Sequence, residues 1–214
     1  MHYVYFLFLF FSLSLVATPK TFSIKDMGTR NLYAMNLDGA LEKNIAISRF
    51  ITGALSYDPE KNNELSGSWE IDLRSLDTQN EMRNLELREQ VLKIQDNPIL
   101  RVQLPAFYAT ALVDEKTIPF NTALSYQFSG KTLTLKSQLK LTYFKESKKS
   151  QQRLPGNLLR VQIAHDWNLE SCGLTISEGF KMIFPVTFST QTDLVASDAL
   201  PTDKPIFPEA PKPR

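Results

Sequence analysis

The feature of this 214-residue sequence that most constrains its fold is a repeated alternation of apolar and polar residues. Leucines stand at positions 133, 135, 139 and 141, with Thr134, Lys136 and Gln138 between them. Successive side chains of a strand point to opposite faces, so this period of two predicts strands with one buried face. Other stretches show the same alternation: Ile45, Ile47, Ile51, Leu55 and Tyr57; Trp69, Ile71 and Leu73; Leu100, Val102 and Leu104; Phe120, Thr122, Leu124, Tyr126 and Phe128; Val161 and Ile163; Phe180, Met182, Phe184, Val186 and Phe188.

Turn-forming residues separate these stretches, as Asp58-Pro59, Ser129-Gly130 and Pro155-Gly156-Asn157 do. Many short strands joined in this way are typical of a barrel or a sandwich. The chain shows no alternation of strands with helices, which argues against a parallel doubly wound sheet. We therefore expect an all-β, antiparallel fold.

One segment, near residues 79–94, departs from the two-residue period and predicts a short helix inserted between strands. Thr78 to Glu81 has the form of a capping box, in which the Thr hydroxyl and the Glu carboxylate satisfy amides of the first turn. Asn97-Pro98 ends the helix, since proline cannot continue it. The apolar face is expected to hold Met82, Leu85, Val91 and Leu92, and the wet face Arg83, Glu86, Glu89 and Lys93.

The N-terminal residues 4–17 are free of charged side chains and end at the small residue Ala17. About fourteen residues is short for a membrane span, which needs roughly twenty, and fits the apolar region of a signal peptide. An uncleaved anchor or a buried strand are the alternatives. The expected organisation is a signal peptide at 1–17, a lead-in at 18–44, a β-barrel domain at 45–190 and a Pro-rich flexible tail at 191–214. We expect the protein to be exported to the periplasm or the extracellular space.

Charge is balanced overall but not locally. The chain has 24 Lys and Arg against 23 Asp and Glu, which disfavours a dedicated nucleic-acid binder. Residues 131–160 nevertheless carry eight basic residues and one acidic residue, many of them in the connection 145–153. A solvated loop with outward strand faces is the simpler interpretation. The alternative is an anion-attracting patch near a cavity mouth.

The residues that could carry catalysis are few. His165 and Asp166 are adjacent, so on a strand they would point to opposite faces. Cys172 has only His165 as a base, apart from His2 in the predicted signal peptide. The single cysteine excludes an intrachain disulfide, and two histidines leave little for a metal site. The helix carboxylates Glu86 and Glu89 lie among basic residues. We expect no enzyme activity and no cofactor, and keep an enzyme that uses these groups as a third hypothesis.

Residues 72–104 carry a resemblance to a known family. Leu76-Asp77-Thr78-Gln79-Asn80 resembles its Asp-Thr-Gly-Asn-type turn, Arg83 its helix arginine, and Asn97 to Val102 its Pro-led strand. This is the YceI family of exported polyisoprenoid-binding proteins with a lipocalin-like barrel. Phe50 to Leu55 and Asp166 to Leu174 resemble further strands of that family, whereas Asn84 and Glu86 replace its usual Asp and His. The resemblance implies an antiparallel, up-and-down, lipocalin-like barrel of about eight strands with one inserted short helix.

A barrel of about eight strands can hold one small apolar ligand. Together with the signal segment and the family resemblance, this predicts an exported, non-catalytic carrier of a long isoprenoid or similar lipid. Arg83 is expected at the mouth against an anionic headgroup, or else paired with Glu86 or Glu89. The alternative is a structural module with a filled lumen that contacts an envelope protein. Parity places ten apolar side chains in the lumen: Ile71, Leu73, Val102, Leu104, Phe128, Leu133, Leu135, Leu139, Val161 and Ile163.

Overall fold

The structure, a computed structural model, describes residues 19–25, 30–151 and 154–200. The predicted signal peptide lies outside these residues, as does the tail from position 201. The strands are β1 Lys20–Lys25, β2 Leu32–Asp38, β3 Lys43–Ser48, β4 Ile51–Asp58, β5 Glu64–Asp72, β6 Ile99–Tyr108, β7 Thr117–Phe128, β8 Lys131–Phe144, β9 Leu158–Asn168 and β10 Thr187–Ser197. The helical segments are a 3₁₀ turn Leu73–Ser75, α1 Glu81–Leu85 with a following π-helical turn Glu86–Val91, α2 Lys148–Gln151 and α3 Glu178–Lys181.

The strands form one antiparallel sheet that closes on itself. Strands β4 to β10 follow one another in chain order, and β1 lies between β4 and β10, so the ring contains eight strands. The hairpin of β2 and β3 continues the sheet from β10. The predicted all-β antiparallel barrel with an inserted helix is confirmed. It extends beyond the predicted limits, because β1 and β2 lie in the lead-in and β10 reaches Ser197.

The seam of the barrel is shared between two strands. β10 pairs with β2 over Ser189 to Asp193 and with β1 at Ser197. Between these pairings, the Asn31 side-chain oxygen accepts the amide of Val195 at 2.8 Å. A side chain thus satisfies a ladder donor at the point where the neighbouring strand is interrupted.

The β7–β8 hairpin follows the sequence pattern closely. Its twelve registered pairs run from Thr117 with Thr142 to Phe128 with Lys131. Ser129 and Gly130 form its two-residue turn, and both have positive φ (52° and 71°), as a type I′ turn requires. The predicted turn at this position is confirmed.

The sequence pattern placed Ile45 and Ile47 of β3 on the same buried face as the odd-numbered residues of β4. This prediction is wrong for β3. Ile51 and Leu55 are fully buried, but Ile45 is 54% exposed. On β3 it is the even positions that face inward, with Ala46 and Ser48 both at 0% exposure. The buried parity therefore changes between the two strands, near Arg49 and Phe50. A parity count along one continuous strand cannot detect such a change.

A close approach of two strands fixes the wall between β4 and β5. Gly53 is the registered partner of Trp69. A Cβ at Gly53 would lie 2.2 Å from the carbonyl oxygen of Ser68 and 2.5 Å from the Cα of Trp69. Only glycine fits at this position without moving the neighbouring backbone.

The inserted helix starts later than the capping-box interpretation placed it. Asn80 is the N-cap, and its side-chain oxygen accepts the amide of Arg83 at 3.1 Å. Thr78 instead donates its amide and its hydroxyl to the side-chain oxygen of Asn84, both at 2.7 Å. The Asx side chain of Asn80 is itself a preferred N-cap, which explains the shift.

The buried face of the helix also differs from the predicted one. Met82 and Leu85 are 70% and 52% exposed and Leu87 is buried, so the first half of the predicted face is wrong. Val91 and Leu92 are buried, as predicted. The π-helical turn widens the helix at this point, which changes the face that each later residue occupies. Leu73 and Leu92 pack with Phe128, Trp167 and other residues at one end of the lumen. We call this end the helix-covered end.

Residues 180–186 are not the predicted strand. Phe184 donates its amide to the carbonyl of Phe180 at 2.7 Å, a helical bond, and the two rings are 6.4 Å apart. A spacing of four residues fits a helical turn as well as a strand, so the apolar pattern allowed both. β10 begins only at Thr187.

Candidate functional site

The lumen holds most of the side chains that the sequence assigned to it. Eight of the ten are buried, at 5% exposure or less: Ile71, Leu73, Val102, Leu104, Phe128, Leu139, Val161 and Ile163. Leu133 and Leu135 are only partly buried against the same core. Strand β8 pairs with β9 from Gln138 onward, so these two leucines lie where the wall is incomplete. Contact of these ten residues with a ligand remains a prediction.

Large side chains fill much of the lumen. Trp69, Tyr33, Tyr126 and Phe22 are among the largest fully buried residues. Tyr126 and Trp167 meet edge to face, with ring centroids 5.4 Å apart. At the helix-covered end, a void of about 10 Å³ remains between Leu73, Leu92 and the aromatic residues. This volume is about what a single water molecule needs.

A buried histidine organises the polar part of the lumen. His165 Nε2 accepts the indole N–H of Trp167 at 2.6 Å, and Nδ1 lies 3.1 Å from the hydroxyl of Tyr126. An indole nitrogen only donates, so the proton of the neutral imidazole lies on Nδ1. Thr190 Oγ1 lies 3.0 Å from Nε2 and also donates to the His165 carbonyl at 3.2 Å. Burial lowers the pKa of His165 to about 4, so the ring is neutral near pH 7.

An enzyme that uses Cys172 as its nucleophile would need His165 as the base. The thiol Sγ instead contacts the carbonyl of Asn168 at 3.5 Å, and burial raises the pKa of Cys172 to about 11. The partners of the His165 ring are Tyr126, Trp167 and Thr190. The two groups are therefore separate, and a thiol with a raised pKa is a poor nucleophile.

The helix carboxylates lie at the surface. Glu89 is exposed and Glu86 half-buried. Asp77 accepts hydrogen bonds from the Asn84 side chain and the Gln79 amide, which lower its pKa. Among residues 19–25, 30–151 and 154–200, no group of three or more His, Cys, Asp or Glu could hold a metal ion.

Arg83 has a different partner from those expected. Its guanidinium pairs with Glu42, in the turn between β2 and β3, and not with Glu86 or Glu89. Glu42 lies 41 residues before Arg83 in the chain, so this ion pair could not be predicted from a local spacing of residues. The proposed headgroup contact of Arg83 would have to compete with this ion pair.

The wall of the barrel is incomplete between β6 and β7. Only Arg101 to Gln103 pair with Ser125 to Gln127. Beyond them, Pro105 on β6 and Pro119 on β7 carry no amide hydrogen, so neither can donate to a ladder here. These two prolines are visible in the sequence and are the signal from which the gap could have been predicted.

Four hydrophobic side chains that are only partly buried against the core lie toward the end of the barrel away from the helix. β6 starts at Ile99 beside the helical segment and ends at Tyr108, so its final residues mark this opposite end. Phe107 and Phe120 meet edge to face at 5.3 Å, one on each side of the gap. We call the set the open-end residues: Phe107, Leu112, Phe120 and Tyr143.

The geometry defines a class: a closed antiparallel barrel with a mainly apolar lumen, one end covered by a short helix. No protein-family model matches the sequence, and no curated protein is significantly similar to it. Solved structures do match. A polyisoprenoid-binding domain from Saccharophagus degradans has a TM-score of 0.59 at 14% identity, over 82% of this chain and 97% of that one.

Two further structures show the same likeness. BcnA of Burkholderia cenocepacia has a TM-score of 0.59 at 13% identity, over 80% of this chain and 100% of that one. A mutant CJ YCEI protein has a TM-score of 0.53 at 10% identity, over 70% and 81%. The resemblance to the YceI family is thereby confirmed at the level of the fold.

Proposed function

We propose that the chain is an exported, non-catalytic protein that binds a long isoprenoid or similar apolar chain in its barrel. The observation that carries the proposal is the gap between β6 and β7, flanked by the open-end residues Phe107 and Phe120. Such a gap gives an apolar chain a route to the mainly apolar lumen. Support comes from the Saccharophagus degradans structure, which is described as a polyisoprenoid-binding domain.

The filled lumen sets a condition on this binding. Because Trp69, Tyr33, Tyr126 and Phe22 already occupy it, a ligand must displace side chains. Each buried CH₂ group of the ligand favours binding by about 0.8 kcal/mol, which can offset the rearrangement for a long chain. The open-end residues are only partly buried, so they lose less apolar burial when they move than the fully buried side chains do, and Phe107 and Phe120 among them flank the gap. We therefore place the ligand there.

Export is part of the proposal and rests on the uncharged apolar stretch at residues 4–17. Within the described ranges, no helix has the length and apolar character to cross a membrane. N-terminal sequencing of the protein recovered from the periplasm and the medium tests cleavage after Ala17.

The binding experiment has two parts. Protein expressed from the full sequence is purified without detergent, and its organic extract is analysed by mass spectrometry. Geranylgeraniol binding is then measured for the wild type, for Phe120→Arg at the gap and for Phe50→Arg. Phe50 is an exposed aromatic and serves as the matched control. We expect a bound lipid and an affinity loss of about tenfold or more in Phe120→Arg alone.

A second function, that of an interaction module with a packed lumen, is favoured by the small void at the helix-covered end. Its expected partner is an envelope protein that contacts the basic connection 145–153 and the Pro-rich tail. Absence of both extracted lipid and geranylgeraniol binding by a folded wild-type protein would favour the module.

A further inference from the structure

We propose that a cleft on the outer wall of the barrel binds an anionic amphiphile with a short apolar body, such as an alkyl carboxylate or alkyl phosphate. The cleft lies where the β8–β9 connection meets the outer faces of β8, β9 and β10. Its volume is about 590 Å³, within the range of about 300–1,000 Å³ that is usual for small-molecule sites. It is separate from the lumen, so it goes beyond the function proposed above.

The floor of the cleft is apolar. Phe144 and Leu158 are registered partners on β8 and β9, and Val195 on β10 lies beside them. Leu154, from the connection between the strands, is buried against this surface. The outward faces of these strands elsewhere carry polar residues such as Lys140 and Gln162. An apolar floor at this one place provides room for a hydrocarbon body.

Most carboxylates of the lining already have donors within the protein. Asp193 accepts from both Arg160 and Gln162. Asp114 accepts the amide of Lys145 at 2.7 Å. Glu146 accepts from the Gln151 side chain and the Gly156 amide, both at 3.0 Å, and these bonds lower its pKa. Glu115 is the remaining carboxylate of the lining.

Two lysines of the rim are available for a ligand. Lys145 and Lys149 line the cleft and are exposed, and neither forms an ion pair with any residue that the structure describes. Two ammonium groups above an apolar floor complement a molecule with an anionic head and a hydrocarbon body. Two basic residues of 131–160 that form no ion pair with a described residue thus lie at a cavity.

The test compares three probes that share a ten-carbon chain: decanoate, decanol and decyltrimethylammonium. Calorimetric titration measures their binding to the wild type and to Lys145→Glu/Lys149→Glu. The matched control is Lys136→Glu/Lys148→Glu, which makes the same charge change on β8 and α2 outside the cleft lining. All substituted lysines are exposed, so the fold is expected to survive, and circular dichroism checks it.

We expect decanoate to bind more tightly than the other two probes, and the cleft variant to lose about tenfold or more in decanoate affinity. The control should change it by about twofold or less. Equal losses in both variants, or equal binding of the three probes, would overturn the proposal.

Two further variants separate this site from other sites and occupants. Phe120→Arg at the gap should leave decanoate binding unchanged, since loss of binding there would place decanoate in the lumen. Ile206→Ser/Phe207→Ser changes the apolar residues of the Pro-rich tail, which follows β10 in the chain. A gain of about tenfold in this variant would show that the tail occupies the cleft, and would overturn the proposal as well.

Discussion

Trp167 donates its indole N–H to Nε2 of His165, at 2.6 Å and from two residues further along the same strand. The bond fixes the tautomer, and Tyr126 takes the opposite side of the ring. Residues two apart on a strand share a face, and both of these side chains are buried, so the pair lies inside the lumen. The arrangement accounts for the His165-Asp166 sequence without catalysis, since the two side chains belong to opposite faces of β9.

The buried His165 predicts a loss of stability in mild acid. Its pKa is about 4 in the folded protein and about 6.5 in the unfolded chain, so between these values the unfolded chain binds the proton first. The free energy of unfolding should fall by up to about 3 kcal/mol from pH 6.5 to pH 4 on account of this residue. Urea unfolding across this range measures it. His165→Gln should flatten the slope, and an identical slope in the variant would contradict the prediction.

Gly53→Ala should destabilise the barrel. The new methyl group meets backbone atoms of Ser68 and Trp69, which cannot move as a side chain can. Overpacking of this kind costs about 1–3 kcal/mol, and we expect the upper part of that range. Gly179→Ala is the control, since no heavy atom lies within 4 Å of its added Cβ. Equal melting temperatures of the two variants would show that the β4–β5 wall adapts.

The two arginines of the helical segment should differ in their contribution to stability. Arg88 donates to the carbonyl of the buried residue Leu76, whereas Arg83 forms a partly exposed ion pair with Glu42. Arg88→Ala removes the donors of this carbonyl and should cost about 1–3 kcal/mol. Arg83→Ala should cost less than about 1 kcal/mol. Denaturant titration of both variants gives the comparison, and the reverse order would disprove it.

Cys172 should report global unfolding. It is buried and its pKa is raised to about 11, so both access and thiolate formation are suppressed. Ellman's reagent at pH 8 should label the native protein slowly and the guanidinium-unfolded protein at once. Adding Gly53→Ala should speed native labelling in step with the loss of stability. Rapid labelling of the folded wild type would mean that residues 169–174 open locally.

Sequence reasoning succeeded where the wall is regular. Leu139, Val161 and Ile163 have registered partners on both sides, so parity alone placed them inside. It failed at Ile45, because the buried parity of β3 differs from that of β4. β3 pairs with β2 and β4 pairs with β1 and β5, so the two strands are set in different parts of the sheet. Local periodicity does not record this offset.

The helix and the candidate site show a second limit. Asn80 and Thr78 are both good capping residues. The Thr78 hydroxyl donates to Asn84, and Asn80 caps the helix. The ion pair of Arg83 and the cleft at Lys145 depend on residues far apart in the chain. The gap between β6 and β7 could have been predicted, because Pro105 and Pro119 are visible in the sequence.

The junction of Ser23 with Ser197 has a consequence for biogenesis. Because the ring is completed by its first and last strands, a nascent chain that lacks β10 has an open sheet with two unpaired edges. Completion must therefore wait until synthesis has passed Ser197, and such long-range contacts form slowly. Under the export proposed above, the chain would cross the membrane before β10 closes the barrel.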